Sequence, residues 1–521
     1  MKGWRRLLHS PRFLLAVIAL LSTLLVQSGE LGTSDTMHRL QTAHSFWTAQ
    51  PAVFPQEYPE FGLIGRAGRL YSWYGIGQSL LMLPADIVAT GIERLPVFDC
   101  YNGNDPSVRD IFVSLSTNML IAVLTALLCW RLLRQFDFSK AQAAAGTLAL
   151  LFTTTHLHYA QNMTENNYIL LLTLAGISFQ YEWLRSGNKR ALLIGSLALG
   201  LNLLTRLTTA LDLIACAGLL LLVPILENEA AQAIRRRALQ YARAVLPVYA
   251  IFLLVDRVYQ YYRFGSFTNT YMTVFGEQQR QLNPALPAAY PFEGHFLDGF
   301  LGPLFSPEKS VFLFDPLLIL SILATALFWR RLSAGVKSFW VASWSLLFAY
   351  ICFYAKYTVW SGDFAWGDRY VSTAVQMVAL LAVPVILRYG ATEGRWLRLT
   401  AWTLVGASVL IQLASLCFWL PLEIYQMETL GHPTLVIALR FKNIAAFTLG
   451  KMDVWGLSNH AMTEDPWDYV HITTWNFLPF LLRRVGAAPG WLVHSLAAAW
   501  CAALVILVWL LYKLRSALET A

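Results

Sequence analysis

Two carboxylates and four cations stand at the ends of apolar runs, where their chemistry needs explaining. Asp35 lies in "SDTMHRLQTAHSFW" (34–47), one helical turn ahead of His38 and Arg39. Glu165 in "HLHYAQNMTENN" (156–167) stands at the start of the fourth apolar run. Carboxylates in such places abstract a proton from a hydroxyl or hold a divalent cation. The bland alternative for each is an acid that satisfies the positive end of a helix. Arg206 in "LLTRLTT", Lys309 in "LFSPEKSVFLFDP", and Lys356 and Arg369 in "KYTVWSGDFAWGDRY" supply the cations. Guanidinium and ammonium groups hold phosphate oxygens through charge-assisted hydrogen bonds, although an arginine at a helix end is often only an interfacial anchor. Trp73, Tyr74, Trp360 and Trp366 offer faces for a sugar ring, within the ordinary aromatic belt of a membrane protein.

The elements that must position these groups are membrane helices. Of the 521 residues, 56% are hydrophobic and 13% charged, and the mean hydropathy is +0.49. Soluble domains carry about 25% charged residues. A spanning helix needs about 20 largely apolar residues. Segments of that kind occur near 11–28, 110–130, 141–160, 165–184, 190–205, 207–226, 244–260, 311–329, 338–358, 369–387, 399–420 and 491–512. The expected fold is therefore an all-α polytopic membrane protein with about 12 transmembrane helices. The first segment reads as a retained anchor, because "STLLVQSGELG" is a weak cleavage site.

Orientation follows the positive residues. With the N-terminus inside, Arg131, Arg134, Lys140, Arg185, Lys189, Arg190, the "RRR" at 235–237 and the "RR" at 330–331 all fall on inner connections. Both termini are then cytoplasmic, and the net charge of +8 is a topology signal that needs no nucleic-acid partner. The long outer segments are 29–109, 261–310 and 421–490. Polar and aromatic residues, glycines and prolines accumulate there, so the chemistry is expected outside. "GIGQSLLMLPADIVATGI" (75–92) suits an interfacial or re-entrant helix of the first outer loop. Segment 1–420 reads as the catalytic membrane region, 421–490 as an acceptor-side cap, and 491–521 as a last span with a short inner tail. Five of the six cysteines lie in apolar helices, Cys100 has no outer partner, and no zinc-type spacing occurs. His460 and His471 in the 421–490 loop fit no standard ligand pattern.

Taken in order, these fragments resemble the membrane-embedded GT-C glycosyltransferases, within them the relatives of protein mannosyltransferases and aminoarabinose transferases. "GRLYSWYGIGQSLLMLP" stands where relatives have a run like "YGxGqsLLxxP". "LLTRLTTAL" stands for "LTRPtxxl", and "WSGDFAWGDRY" for "WxGGxxyGpRY", with "YYRFGSFTNT" and "GFLGPLFSPEKSVFLFDP" between them. The resemblance spans most of the first 390 residues. Departures are Leu207 after Arg206, Gly367-Asp368 before Arg369, and an unusual charge at Asp315.

The resemblance implies an enzyme that takes a sugar from a polyprenyl-phosphate carrier at the outer face. The acceptor would be a glycan, lipid or protein, and the setting a bacterial plasma (inner) membrane with membrane lipids as neighbours. It maps the catalytic acid onto Asp35, the acid of the fourth helix onto Glu165, and the phosphate-side arginine onto Arg369. On this reading His38 assists Asp35, Glu165 orients the acceptor or shares a metal, and Arg369, Arg206, Lys356, Lys309, Tyr74 and Trp366 bind substrate. The cofactor stays unknown, a divalent cation being the one candidate. The alternative is a transporter or flippase of lipid-linked or polar solutes, for which Asp212, Asp256 and Asp315 are the intramembrane acids to inspect. Cysteine labelling tests the topology: positions 165 and 363 should react from outside and position 236 only from inside. Labelling of the first two from inside would overturn it.

Overall fold

The computed structural model describes residues 10–54, 62–99, 101, 106–161, 165–363, 365–390, 393–419, 421–452, 474–484 and 490–519. Helices dominate these residues, and the strands are a short antiparallel hairpin, Gly62–Ile64 with Leu70–Ser72. The chain is an all-α polytopic membrane protein. Among the described residues seven helices are long and apolar enough to cross a bilayer: Val108–Gln135, Leu207–Leu226, Ala231–Phe264, Ala334–Tyr354, Ser372–Tyr389, Arg395–Ser415 and Gly490–Glu519. The other five expected spans are helical too, at Pro11–Val26, Lys140–Thr153, Asn166–Ser186, Lys189–Thr205 and Leu317–Phe328. They do not reach the same length and apolarity, so twelve helical segments stand where spans were expected and seven qualify. His460, His471 and Cys100 lie outside the described residues.

Local chemistry sets where the helices begin. Ser107 and Asp110 form a reciprocal cap on Val108–Gln135, and Ser139 and Gln142 do the same on Lys140–Thr153. One large apolar core joins the helix Pro11–Val26 to Val108–Gln135, Asn166–Ser186, Ala334–Tyr354 and Ser372–Tyr389. Asn166–Ser186 is buried along most of its length and serves as the central post. By contrast, Ala231–Phe264 presents nearly all of its surface outward, as a lipid-facing helix should.

The described part of the 29–109 segment carries the helices Ser34–Ser45 and Ile76–Glu93, with the short hairpin between them. Ser34–Ser45 packs on Ile76–Glu93 and the start of Val108–Gln135 through Leu40, Met82, Ala89 and Val113. Its far end is fixed by Asp86, fully buried, whose carboxylate accepts from His44 Nδ1 at 2.9 Å, Trp47 Nε1 at 2.8 Å and the Arg109 side chain. A buried carboxylate is tolerable only when paired in this way.

The described part of the 421–490 segment is tied into the membrane region. Arg440 and Glu423 are both completely buried and form a two-pronged ion pair at 2.6 and 2.7 Å. Arg440 also donates to the carbonyls of Ala414, Ser415 and Phe418, at and just past the end of Arg395–Ser415.

Candidate active site

The YGIG run fixes the geometry first. A Cβ on Gly75 would sit 2.4 Å from the carbonyl oxygens of Leu204 and Thr205, and one on Gly77 would sit 2.3 Å from Thr205 Oγ1. Only hydrogen fits, so the start of Ile76–Glu93 lies directly against the Thr205–Arg206 corner. Arg263, almost wholly buried, donates to the carbonyls of Ser72 and Tyr74 and holds the incoming strand from the other side. Tyr74 is thereby fixed next to the residues that carry charge.

Asp35 has a partner from the far end of the sequence. Arg369 Nη1 donates to Asp35 Oδ2 at 2.7 Å, while the Tyr74 hydroxyl donates to Oδ1. The side chains of Asp35 and Arg369 are 16% and 17% exposed, so the pair is sheltered yet reachable. Burial and the neighbouring Asp35 charge hold the Tyr74 phenol well above its usual pKa, which keeps it a proton donor. Burial works against the charge on Arg369, but Asp35, Tyr370 and Tyr74 outweigh it and hold the guanidinium firmly protonated. Arg369 Nε is buried without a hydrogen-bond partner.

Glu165 is gripped on both sides. Arg39 and Arg206 each bind one of its oxygens, and the side chain is 6% exposed. Spacing alone would pair Asp35 with His38 and Arg39 on one helical face; instead Arg39 turns to Glu165, and His38 is buried on the same helix. Tyr74 lies under the Arg39 guanidinium at 4.1 Å and so touches both ion pairs. Tyr370 receives Arg206 and Arg369, each 5.3 Å from its ring centre, and stacks on Tyr354 at 4.4 Å. Asn166 Nδ2 donates to the Arg369 carbonyl at 2.7 Å, linking the start of the central post to the turn that carries this arginine.

Two expected binding residues, Lys309 and Trp366, are engaged by the protein itself. Lys309 is buried, and its ammonium donates to the carbonyls of Asp363 and Ala365 at 2.6 and 2.7 Å and more weakly to Gly367 at 3.4 Å. It braces the turn before Arg369, because those inward carbonyls need a donor more than the bulk solution does. Trp366 has no exposed surface: it stacks on His158, meets Phe314 edge-on, and carries the Arg440 guanidinium 5.1 Å from its ring. No face is left for a sugar. Lys356 is exposed, and among the described residues no ion pair or hydrogen bond joins its side chain to Asp35 or Glu165. Arg263 and Arg440 carry no motif of their own in the sequence, and Arg39 is legible there only as a local partner of Asp35. Two arginines in apolar or aromatic surroundings, Arg263 and Arg440, are the available signal.

A pocket lined by Arg39, Tyr74, Glu165 and Arg206, among others, opens beside these pairs. Among the described residues no three His, Cys, Asp or Glu side chains stand together as a metal site. Asp35 and Glu165 are instead paired with guanidinium groups, a setting that suits an anion and not a divalent cation. Asp212 and Asp315 serve as hydrogen-bond hubs: Asp212 accepts from Thr173 and Tyr350, each at 3.0 Å, and Asp315 from the Thr155 N–H at 2.7 Å.

Fold and site thus describe an integral membrane protein with an acid–arginine centre at one end of its helices. Residues 109–258 match the dolichyl-phosphate-mannose-protein mannosyltransferase family, part of the GT-C superfamily. The match supports a glycosyltransferase of GT-C type. It takes in Glu165 and Arg206; Asp35, Tyr74 and Arg369 lie outside it and stand on their own geometry. A comparison with curated proteins found no match.

The turn before Arg369 should respond to pH. Burial raises the Asp368 carboxyl from its ordinary 3.8 to about 7, and burial lowers the Lys309 ammonium from 10.5 to about 8. A raised acid binds its proton more tightly in the folded state, so Asp368 favours folding at low pH and that advantage fades as pH climbs from 3.8 through about 7. Thermal unfolding in detergent at several pH values, for wild type and Asp368→Asn, checks this. The stability of the wild type relative to the variant should fall across that interval. A constant difference would show that Asp368 titrates normally.

Proposed function

We propose that the chain transfers a sugar from a polyprenyl-phosphate carrier to a hydroxyl or amine of a glycan, lipid or protein acceptor at the extracytoplasmic face of a bacterial plasma membrane. The observation that carries the reading is the Asp35–Arg369 pair at 2.7 Å, in which the arginine keeps a buried, unpaired Nε donor. An acid and a cation held together, sheltered yet reachable, suit a reaction that removes a proton at one point and sheds a phosphate at another. The outer-face assignment rests on the basic inner connections, and both termini are then cytoplasmic.

For a hydroxyl acceptor the steps balance simply. The hydroxyl takes the hydrogen-bonding place that Tyr74 now has on Asp35 and gives its proton to that carboxylate as its oxygen attacks the anomeric carbon. The bond from that carbon to the phosphate oxygen breaks, and its electron pair leaves with the polyprenyl phosphate. Arg369 and Arg206 receive the added charge. Phosphate leaves readily, so no general acid is needed, and one direct displacement inverts the anomeric centre. Glu165 acts by holding Arg39 and Arg206 in place. Residues 1–420 carry this chemistry, 421–490 caps it on the acceptor side, and 491–521 adds the last helix and inner tail. The buried Glu165 makes position 363, which is exposed, the more informative site for testing sidedness by labelling.

Transfer and donor binding separate the two roles. Asp35→Asn should abolish most turnover while donor affinity stays close to wild type. Arg369→Ala should weaken donor binding by about 2–5 kcal/mol, the cost of leaving a desolvated phosphate without its partner. Arg369→Lys should fall between, because it keeps the charge and loses the planar fork. Full activity in Asp35→Asn would remove the base, and normal donor binding by Arg369→Ala would reduce that residue to an anchor.

A further inference from the structure

The helix Ala231–Phe264 is lipid-facing over nearly all its length, yet its last turns bury Asp256, Tyr259, Gln260 and Arg263. Arg263 has its structural employment in the Ser72 and Tyr74 carbonyls. Asp256 and Gln260 are four residues apart, on one face of the helix, and both line the pocket shared with Tyr74, Glu165 and Arg206. They are 4% and 2% exposed. Gln260 Oε1 is buried with no hydrogen-bond partner among the described residues. An orphaned buried acceptor costs stability and calls for an explanation, most simply a ligand that satisfies it.

We propose that Asp256 and Gln260 form the subsite that reads the hydroxyl groups of the donor sugar. This rests on the donor reading above and adds to it the residues that recognise the sugar itself. The chemistry follows from the acceptors. Arg257 donates to Asp256 through Nε at 2.9 Å and through Nη2, and both bonds end on Oδ2. The carboxylate is therefore charge-compensated, and Oδ1 acts as a hydroxyl acceptor more than as a counter-ion. Arg257 is itself held by the Asn269 carbonyl at 3.1 Å, so the carboxylate cannot easily swing away. Two fixed acceptors at one small pocket of about 30 Å³ match hydroxyls that reach in from the edge of a neutral hexose or pentose whose ring stands outside it. A sugar lacking those hydroxyls would leave both unpaired, which is the arrangement that gives strong discrimination. An acidic sugar would bring its own carboxylate against Asp256 and is disfavoured.

Binding measurements on the full chain in detergent test this, using bare polyprenyl phosphate and a panel of polyprenyl-phosphate hexoses and pentoses as probes. Wild type should bind at least one neutral glycosylated carrier more tightly than the bare carrier. Asp256→Asn and Gln260→Leu should each reduce that extra affinity about tenfold, the scale of one lost hydrogen bond to a buried group, while bare-carrier affinity stays unchanged. Unchanged bare-carrier binding also certifies that each variant is folded. If no sugar adds affinity in wild type, if the gain survives both substitutions, or if the two probes weaken together, the subsite is wrong. Failure of wild type to bind even the bare carrier would overturn the donor reading and the subsite with it, a result distinguishable from the others.

Discussion

Charge must be paired before it can be buried at the edge of a bilayer, and this requirement organises the polar end of the molecule. Asp35 and Glu165 are sheltered, and each is stable there because guanidinium groups from remote segments reach it. Arg369 comes from a turn 334 residues beyond Asp35, Arg206 from the corner after Lys189–Thr205, and Arg39 from the helix that carries Asp35 itself. Removing one partner would strand a charge, so each pair fastens two distant segments. The glycines at 75 and 77 and the buried Arg263 bring Tyr74 into the same cluster, where it hydrogen-bonds one acid and lies under the arginine of the other.

Around this centre the remaining buried polar groups act as braces. Asp86 fixes the end of Ser34–Ser45 opposite Asp35, and Lys309 gathers the carbonyls of the turn that leads to Arg369. Arg440, paired with Glu423, stacks on Trp366 in that same turn. The 421–448 helices are therefore coupled to the arginine turn through packing, whatever surface the rest of that segment offers. Preorganisation of this kind lets an acid and a cation meet a reacting group without rearrangement.

Much of this was legible in the sequence, for identifiable reasons. Asp35, Glu165, Arg206 and Arg369 stand out because ionisable residues at the ends of apolar helices are costly, and topology alone sends them to one side. Helices occur at all twelve expected places, since hydropathy reports the bilayer directly, although five are too short or too polar to count as spans by themselves. Pairing was not legible. Local spacing favours Asp35 with Arg39, and tertiary contacts override a preference that is worth only about 0.2–0.5 kcal/mol. Lys309 and Trp366 carry the residue types of a phosphate ligand and a sugar platform, but backbone carbonyls and packed rings occupy them instead. Gln260 gave no signal because an amide on a mostly apolar helix looks like many others until its neighbours are known.

The central claim is that Asp35 and Arg369 operate as one unit. A double-mutant cycle in sugar-transfer rate, with Asp35→Asn, Arg369→Gln and the double variant, measures this directly on protein that stays folded. Groups that act together lose their function together, so the double variant should be about as slow as the slower single variant. If the two losses multiply, Asp35 and Arg369 act independently, and the ion pair is a structural contact and not the reacting centre.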